Sequence, residues 1–210
     1  QEVRKYMNLE KWKECFKNHK AQFTDYGNIK ILDFKEPGIF EYRIRFLFEE
    51  DYCRLHISGD LGELIATNYY NMIYEKFSDF TNNIGYFESK IDCHNRPIYV
   101  YDQDKAREEL MQRATDDGDW LDISERYDYE DDEELRLEYI IDDILEDFSD
   151  ATGISSNGRE ALGEIVPNEW EFSDDIGKTE TGILELYMLA FKLAQEQLKN
   201  KDSKLKAGDS

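Results

Sequence analysis

Cysteine is scarce in this chain, and its three copies, Cys15, Cys53 and Cys93, lie far apart. They cannot form a complete disulfide framework and read as reduced thiols. No apolar run approaches the ~18 residues that a membrane span requires, and no signal peptide opens the sequence. A cytoplasmic protein is the expectation.

Motifs of catalysis are missing as well. There is no G-x-S-x-G elbow to present a nucleophile. The Gly-rich stretch Ser58-Gly59-Asp60-Leu61-Gly62 lacks a Walker lysine and lies between strands, so it reads as a hairpin turn. A metal site would have to come from Cys53, His56, Cys93 and His94. Cys53 and His56 have opposite parity in a strand, however, and Cys93 and His94 are sequence neighbours with the same difficulty. Carboxylate pairs abound only because acid abounds, and Asp60 with Asp92 is the least implausible of them. The expectation is a protein that is not an enzyme, with no metal and no cofactor.

Positive charge is in deficit, with 26 Lys and Arg against 48 Asp and Glu, a formal net charge of −22. Direct nucleic-acid binding is disfavoured, because phosphate contacts rely on Lys and Arg to displace condensed counterions. A negative field instead suits proteins that themselves bind nucleic acid; it would steer them in quickly and make association fall with salt.

What the chain does have is acid in one block. Residues 102–150 hold 21 Asp and Glu against 5 Lys and Arg, which accounts for 16 of the 22 net charges. Its dense part, residues 116–134, is interleaved with Trp120, Leu121, Ile123, Tyr127 and Tyr129, which a purely solvating tail does not need. The partner-binding candidates are Asp116, Asp117, Asp119, Trp120, Asp128, Glu130, Asp131, Asp132, Glu133, Glu138, Asp142, Asp143, Glu146, Asp147 and Asp150. On a helix, Asp142, Asp143, Glu146, Asp147 and Asp150 would span about 12 Å, one charge per ~2.4 Å. Duplex DNA carries one per ~1.7 Å of axis, so a groove built for a duplex could accept such a face.

The aromatic content of 14% and hydrophobic content of 40% indicate a folded chain. Leu9, Trp12, Phe16 and Phe23 predict an amphipathic first helix capped by Asn8. Period-two alternation then predicts strands over 29–34, 40–48, 52–58 and 63–68, an antiparallel meander. Residues 71–80 read as a helix, 86–91 and 97–101 as extended pieces around an Asp92-Cys93-His94-Asn95 turn, and 102–114 as a helix. Beyond them, 134–149 predicts a helix with one apolar and one acidic face, 156–165 a short helix, and Ile183 to Leu198 a long apolar stripe. That last helix is expected to pack on the 134–149 helix, with self-association as the alternative. The fold class is therefore α+β: an α+β domain over 8–114, an acidic helical region over 115–200, and flexible ends at 1–7 and 201–210. Arg43, Arg45, Arg54 and His56 share the expected solvent face of adjacent strands, where they are expected to hold the chain's own acidic segment, with RNA or a partner's acid as the alternatives.

The phrases FTDYGNIKILDF, YRIRFLFEEDYCRLHISGDLGELIATNYYNM and DCHNRPIYVYD within residues 12–104 resemble small proteins of bacteriophages and mobile elements of Firmicutes. Some acidic proteins from that setting resemble it in size and charge and are anti-CRISPR inhibitors of the type II RNA-guided nuclease. The resemblance implies a phage protein, acting in the bacterial cytoplasm, that evades host defence by blocking a basic nucleic-acid channel as a DNA mimic. It carries no site residues. The alternatives are an adaptor that pairs through its final helix, including as a homodimer over 183–198, and a metal-dependent enzyme built on surplus carboxylates.

Overall fold

A computed structural model describes residues 9–117, 120, 133–166 and 168–208. In chain order the elements are α1 (Leu9–Cys15), β1 (Lys20–Asp25), β2 (Ile29–Lys35), β3 (Ile44–Glu49), β4 (Arg54–Gly59), β5 (Leu64–Thr67), α2 (Ile84–Glu88), β6 (Ile91–His94) and β7 (Tyr99–Tyr101). They continue with α3 (Gln103–Asp117), α4 (Glu133–Ile144), α5 (Ser156–Ile165), β8 (Lys178–Glu180) and α6 (Ile183–Gly208). The α+β class holds.

Two compact units form, one from the residues up to Ile98 together with those from Gly182 onward, the other from Tyr99 to Thr181. This division is not the expected one at 114/115. The last helix belongs to the first unit, whose core takes up its apolar stripe, and it runs to Gly208.

In the first unit, β1 to β6 form a six-stranded antiparallel meander in sequence order. Period-two patterning sets its faces: Leu32 and Phe34 of β2, Ile44, Phe46 and Phe48 of β3, and Leu55 and Ile57 of β4 are all buried. Onto that face α6 lays Leu184, Tyr187, Phe191 and Ala194. Phe191 meets Phe77 edge-on at 4.7 Å and Phe46 at 5.3 Å, in the arrangement that ring quadrupoles prefer. Burial pushes the Tyr187 hydroxyl up to about 12, and that hydroxyl donates to the Leu61 carbonyl at 3.2 Å. The edge of β1 is closed by α6 side chains: Gln197 accepts from the Ala21 N–H and donates to the His19 carbonyl, and Lys201 donates to the Ala21 carbonyl.

Several sequence expectations yield here to tertiary pairing. The first helix ends at Cys15, because residues 20–25 pair with β2 and Phe23 stacks on Tyr74 at 4.3 Å. The strand expected from residue 40 begins only at Ile44; Tyr42 is left-handed (φ 57°), held there by its N–H on Asp60 at 2.9 Å, and Phe40 stays exposed. The helix expected over 71–80 is replaced by a turn and a 3-10 helix, Phe77–Asn82, although Met72, Phe77 and Phe80 are core as their apolarity required. Residues 84–88 are helical rather than extended, and the expected 92–95 turn lies largely in β6.

The second unit packs α3, α4 and α5 around an aliphatic core of Ala106, Leu110, Ile140, Ile144, Leu162 and Ile165, with β7 and β8 pairing beside them. Ser155 caps α5 by accepting the Gly158 N–H at 3.0 Å. A Cβ on Gly158 would lie 2.0 Å from the Ile144 carbonyl oxygen, so only glycine lets α5 cross so close.

Candidate functional site

The acidic candidates separate into three groups. Asp119, Asp128, Glu130, Asp131 and Asp132 lie outside the described residues, and of Asp117 and Glu133 only the helical backbone is described. Trp120 is a correction: it is buried, 2% exposed, in the core with Leu110 and Ile140, so it presents nothing to a partner. Among the described residues its indole N–H has no hydrogen-bond partner. The remaining candidates sit on one chain segment or next to it. Asp116 is exposed at the end of α3, Glu138 and Asp142 are exposed on α4, and Glu146, Asp147 and Asp150 are exposed just beyond α4.

The single continuous acidic helix face over 142–150 does not form. α4 stops at Ile144, where α5 crosses at Gly158, and the chain turns through Asp147 in the left-handed region (φ 58°). The turn is tight: Glu146 N–H donates to Asp143, Phe148 N–H to Leu145, and Gly153 N–H to Ser149 at 2.8 Å. Glu146, Asp147 and Asp150 therefore form a compact acidic knuckle instead of a rod at duplex spacing. Asp142 pairs with Arg107 of α3, which neutralises part of the helical face, and Asp143 is half-buried.

Four other described cations of this unit are engaged elsewhere. Arg159 bridges Asp174 at 2.5 Å, Lys178 bridges Asp175 at 2.8 Å, Lys105 lies 3.6 Å from Glu109, and the Arg113 guanidinium stacks over Phe172 at 3.9 Å. Glu138, Glu146, Asp147 and Asp150 have no counter-ion among the described residues. Exposed apolar side chains accompany the acid, including Trp170 (68%), Tyr139 and Leu135. That combination differs from a plain solvated face.

In the first unit the basic residues of the sheet meet partners of that same unit. Arg45 makes a two-pronged pair with Asp33, at 2.7 and 2.9 Å, and this hydrogen bonding raises the guanidinium pKa further. Glu49 accepts His56 at 2.8 Å and lies 3.8 Å from Arg54, while Arg43 stacks over Phe40 at 5.3 Å. Two open grooves of about 540 and 550 Å³ run over this face. Of their charged lining, Arg45 is paired with Asp33 and Glu49 with His56 and Arg54.

The carboxylate pair that the sequence offered is not brought together. Asp60 and Asp92 sit at opposite ends of the sheet, the first bound to the Tyr42 N–H and the second to the Thr67 hydroxyl at 3.3 Å. His94 is tied to the Arg96 carbonyl at 2.7 Å, and no group of three His, Cys, Asp or Glu is placed to hold a metal ion. No described helix is long and apolar enough to cross a membrane.

Sequence reasoning missed one feature, a row of exposed tyrosines (Tyr26, Tyr52, Tyr69 and Tyr70) at one end of the sheet. The signal was present in Tyr69-Tyr70 directly after a strand and in the two turns that each carry a tyrosine beside an aspartate. Compared with protein families, characterised proteins and solved structures, the chain matches none.

Proposed function

We propose that the chain is a non-enzymatic binding protein whose acidic unit occupies the basic nucleic-acid channel of a partner. The observation that carries this reading is the separation of charge between the two units. Residues 99–181 hold 28 acidic and 7 basic side chains, a net −21 of the chain's −22. A solubility device spread over the surface has no reason to concentrate so. The exposed acid, with Tyr139 and Trp170 on the same unit, offers a channel lined by Lys and Arg both charge and apolar contact.

The target we propose to test first is the type II CRISPR nuclease, on the strength of the resemblance of residues 12–104 to phage and mobile-element proteins. The test is capture from a lysate containing that nuclease, with elution by rising salt. Glu138→Gln, Glu146→Gln, Asp147→Asn and Asp150→Asn together are expected to weaken capture roughly tenfold or more, because rim charges set encounter and salt dependence. Full retention by this folded variant would overturn the electrostatic reading; capture of another nucleic-acid enzyme would keep the mechanism and replace the target. The self-association alternative rested on a free apolar stripe in the last helix. Leu184, Leu186, Tyr187, Ala190, Phe191 and Ala194 are instead spent inside the first unit's own core, so nothing in that stripe calls for a second chain.

A further inference from the structure

We infer that the tyrosine-bearing end of the sheet is a second docking surface, for an extended arginine-rich segment of a partner protein. Three loops meet there. Tyr26 lies in the β1–β2 turn, Tyr52 between β3 and β4, and Tyr69 and Tyr70 directly after β5; their exposures are 70%, 68%, 87% and 84%. The loops are stitched to one another and so form one surface. The Glu50 N–H donates to the Asn28 carbonyl at 2.8 Å, the Asn68 N–H to the Cys53 carbonyl at 3.0 Å, and the Cys53 thiol to the Tyr69 carbonyl at 3.6 Å. Beneath them, Lys30 is buried between Glu50 (3.0 Å) and Glu75, and the Tyr74 N–H donates to Glu50. The rings stand on a rigid base, which lowers the ordering cost of binding.

Nothing in the fold requires these four rings to face water, since the phenylalanines of the same sheet supply its core. Tyrosine on loops presented by a rigid sheet is a recurrent way to build contact area with few rotors. The surrounding charge selects the occupant. Asp25, Asp51 and Asp92 stand at this end with no ion pair among the described residues, while three nearby cations are committed, Lys30 as above, Arg54 to Glu49 and over Tyr52 at 5.8 Å, and Lys90 over Tyr86 at 4.7 Å, and Lys76 is exposed. Aromatic faces flanked by carboxylates favour a guanidinium and repel a phosphate. From the β1–β2 turn to β5 the surface spans roughly 17 Å at ~4.8 Å per strand, the length of about five extended residues.

This inference does not rest on the proposed channel-blocking role, and its test separates the two. The probe is a labelled Gly-Arg repeat peptide, with a Gly-Lys repeat of equal charge as comparison, titrated into the full chain at about 0.3 M salt, where the Debye length falls to roughly 5–6 Å. Tyr52→Ser, Tyr69→Ser and Tyr70→Ser together are expected to reduce arginine-peptide affinity at least tenfold, with an unchanged melting temperature because the rings are exposed. The wild-type chain is expected to prefer arginine over lysine several-fold. Neutralising Glu138, Glu146, Asp147 and Asp150 is expected to change the affinity less than twofold. The inference is overturned by no binding of the arginine peptide, by equal binding to the tyrosine variant, by a loss that instead follows the acidic-unit variant, or by preference for single-stranded oligothymidine over the peptide.

Discussion

Residues 1–98 and 182–210 hold 20 acidic and 19 basic side chains, whereas residues 99–181 hold 28 and 7. The two units also differ in what fills them. The sheet unit has interlocking rings, Phe46, Phe48, Phe77, Phe80, Phe87 and Phe191, and it builds its charges into pairs such as Arg45 with Asp33 and Lys30 with Glu50 and Glu75. The helical unit has Ile, Leu and Ala around one tryptophan and leaves a surplus of carboxylates facing water. In the first, charge helps to specify the fold; in the second, surplus charge opposes compaction by self-repulsion. A unit that folds against its own charge is better explained by a use outside the fold than by the fold itself.

The largest expected effects come from breaking each core where it is tightest. Phe191→Ala removes a ring packed on Phe46, Phe48 and Phe77, and should cost about 3–5 kcal/mol. Gly158→Val places side-chain atoms against the Ile144 carbonyl and should cost several kcal/mol, about 3 as a central figure. Fluorotryptophan NMR during denaturation reads each unit from within, because Trp12 belongs to the first and Trp120 and Trp170 to the second. If Phe191→Ala left the Trp12 transition in place, α6 would not be part of that core; an unmoved Trp120 transition in Gly158→Val would refute the close crossing.

Removing Lys30 tests the paired charges of the sheet unit. Lys30→Ala leaves Glu50, 18% exposed at its side chain, without its cation and should cost about 2–3 kcal/mol, less than a fully buried pair because Glu75 is half exposed. Lys30→Ala combined with Glu50→Gln should recover part of that loss in a chemical melt. Equal losses in the single and double variants would mean that the lysine acts through its stem alone.

Much of this contrast was legible in the sequence. The concentration of acid, the meander and the alternation Ile44, Phe46, Phe48 against Arg45 and Glu49 all follow from charge counting and period two. Where the last helix packs was not legible. Its stripe of Leu184, Tyr187, Phe191 and Ala194 fits any apolar face, and only the sheet's unpartnered aromatic face decides between candidates. The short first helix and the 71–80 turn were missed because local apolar spacing there suits a helix while strand pairing and the Lys30–Glu75 contact win. For the site, the identity of the acidic residues was readable but not their arrangement, since the stop of α4 at Ile144 depends on Gly158, 14 residues away in sequence. Trp120 shows the converse error: an aromatic within acid looks like a contact residue until the core that needs it is seen.

His19 sharpens the comparison by pH. It is 1% exposed between the Phe16 and Phe34 rings with its Nε2 within 3.0 Å of the Tyr42 carbonyl, and burial lowers its pKa from the ordinary 6.5. Its native state therefore resists protonation that the unfolded chain accepts, so the stability of the sheet unit falls as pH drops below about 6.5 and levels off below the depressed native value. The slope is at most about 1.4 kcal/mol per pH unit. Glu75, lowered chiefly by its hydrogen bond to Lys30, adds its own loss only as pH falls below about 4.5. His19→Gln should flatten the upper window in a Trp12-reported melt; an unchanged profile would assign that window to another group.

The smallest effect isolates the acid. In the helical unit the unpaired carboxylates repel one another, so salt should stabilise it, and Glu146→Gln with Asp147→Asn should stabilise it at low salt by a few tenths of a kcal/mol. The sheet unit, with 20 acidic and 19 basic side chains, has no such surplus to screen, and salt should instead weaken its exposed pairs slightly. The two signs are opposite, which makes the experiment sharper than its magnitude suggests: the Trp120 transition rises with salt while the Trp12 transition stays level or falls. If both rose together, the acid would be screened by ions shared across the whole surface, and its segregation into one unit would have no energetic consequence in the free protein. If only the Trp120 transition rose and the double variant abolished the rise, the knuckle at Glu146 and Asp147 would be identified as the place where the fold gives up stability to keep its charge.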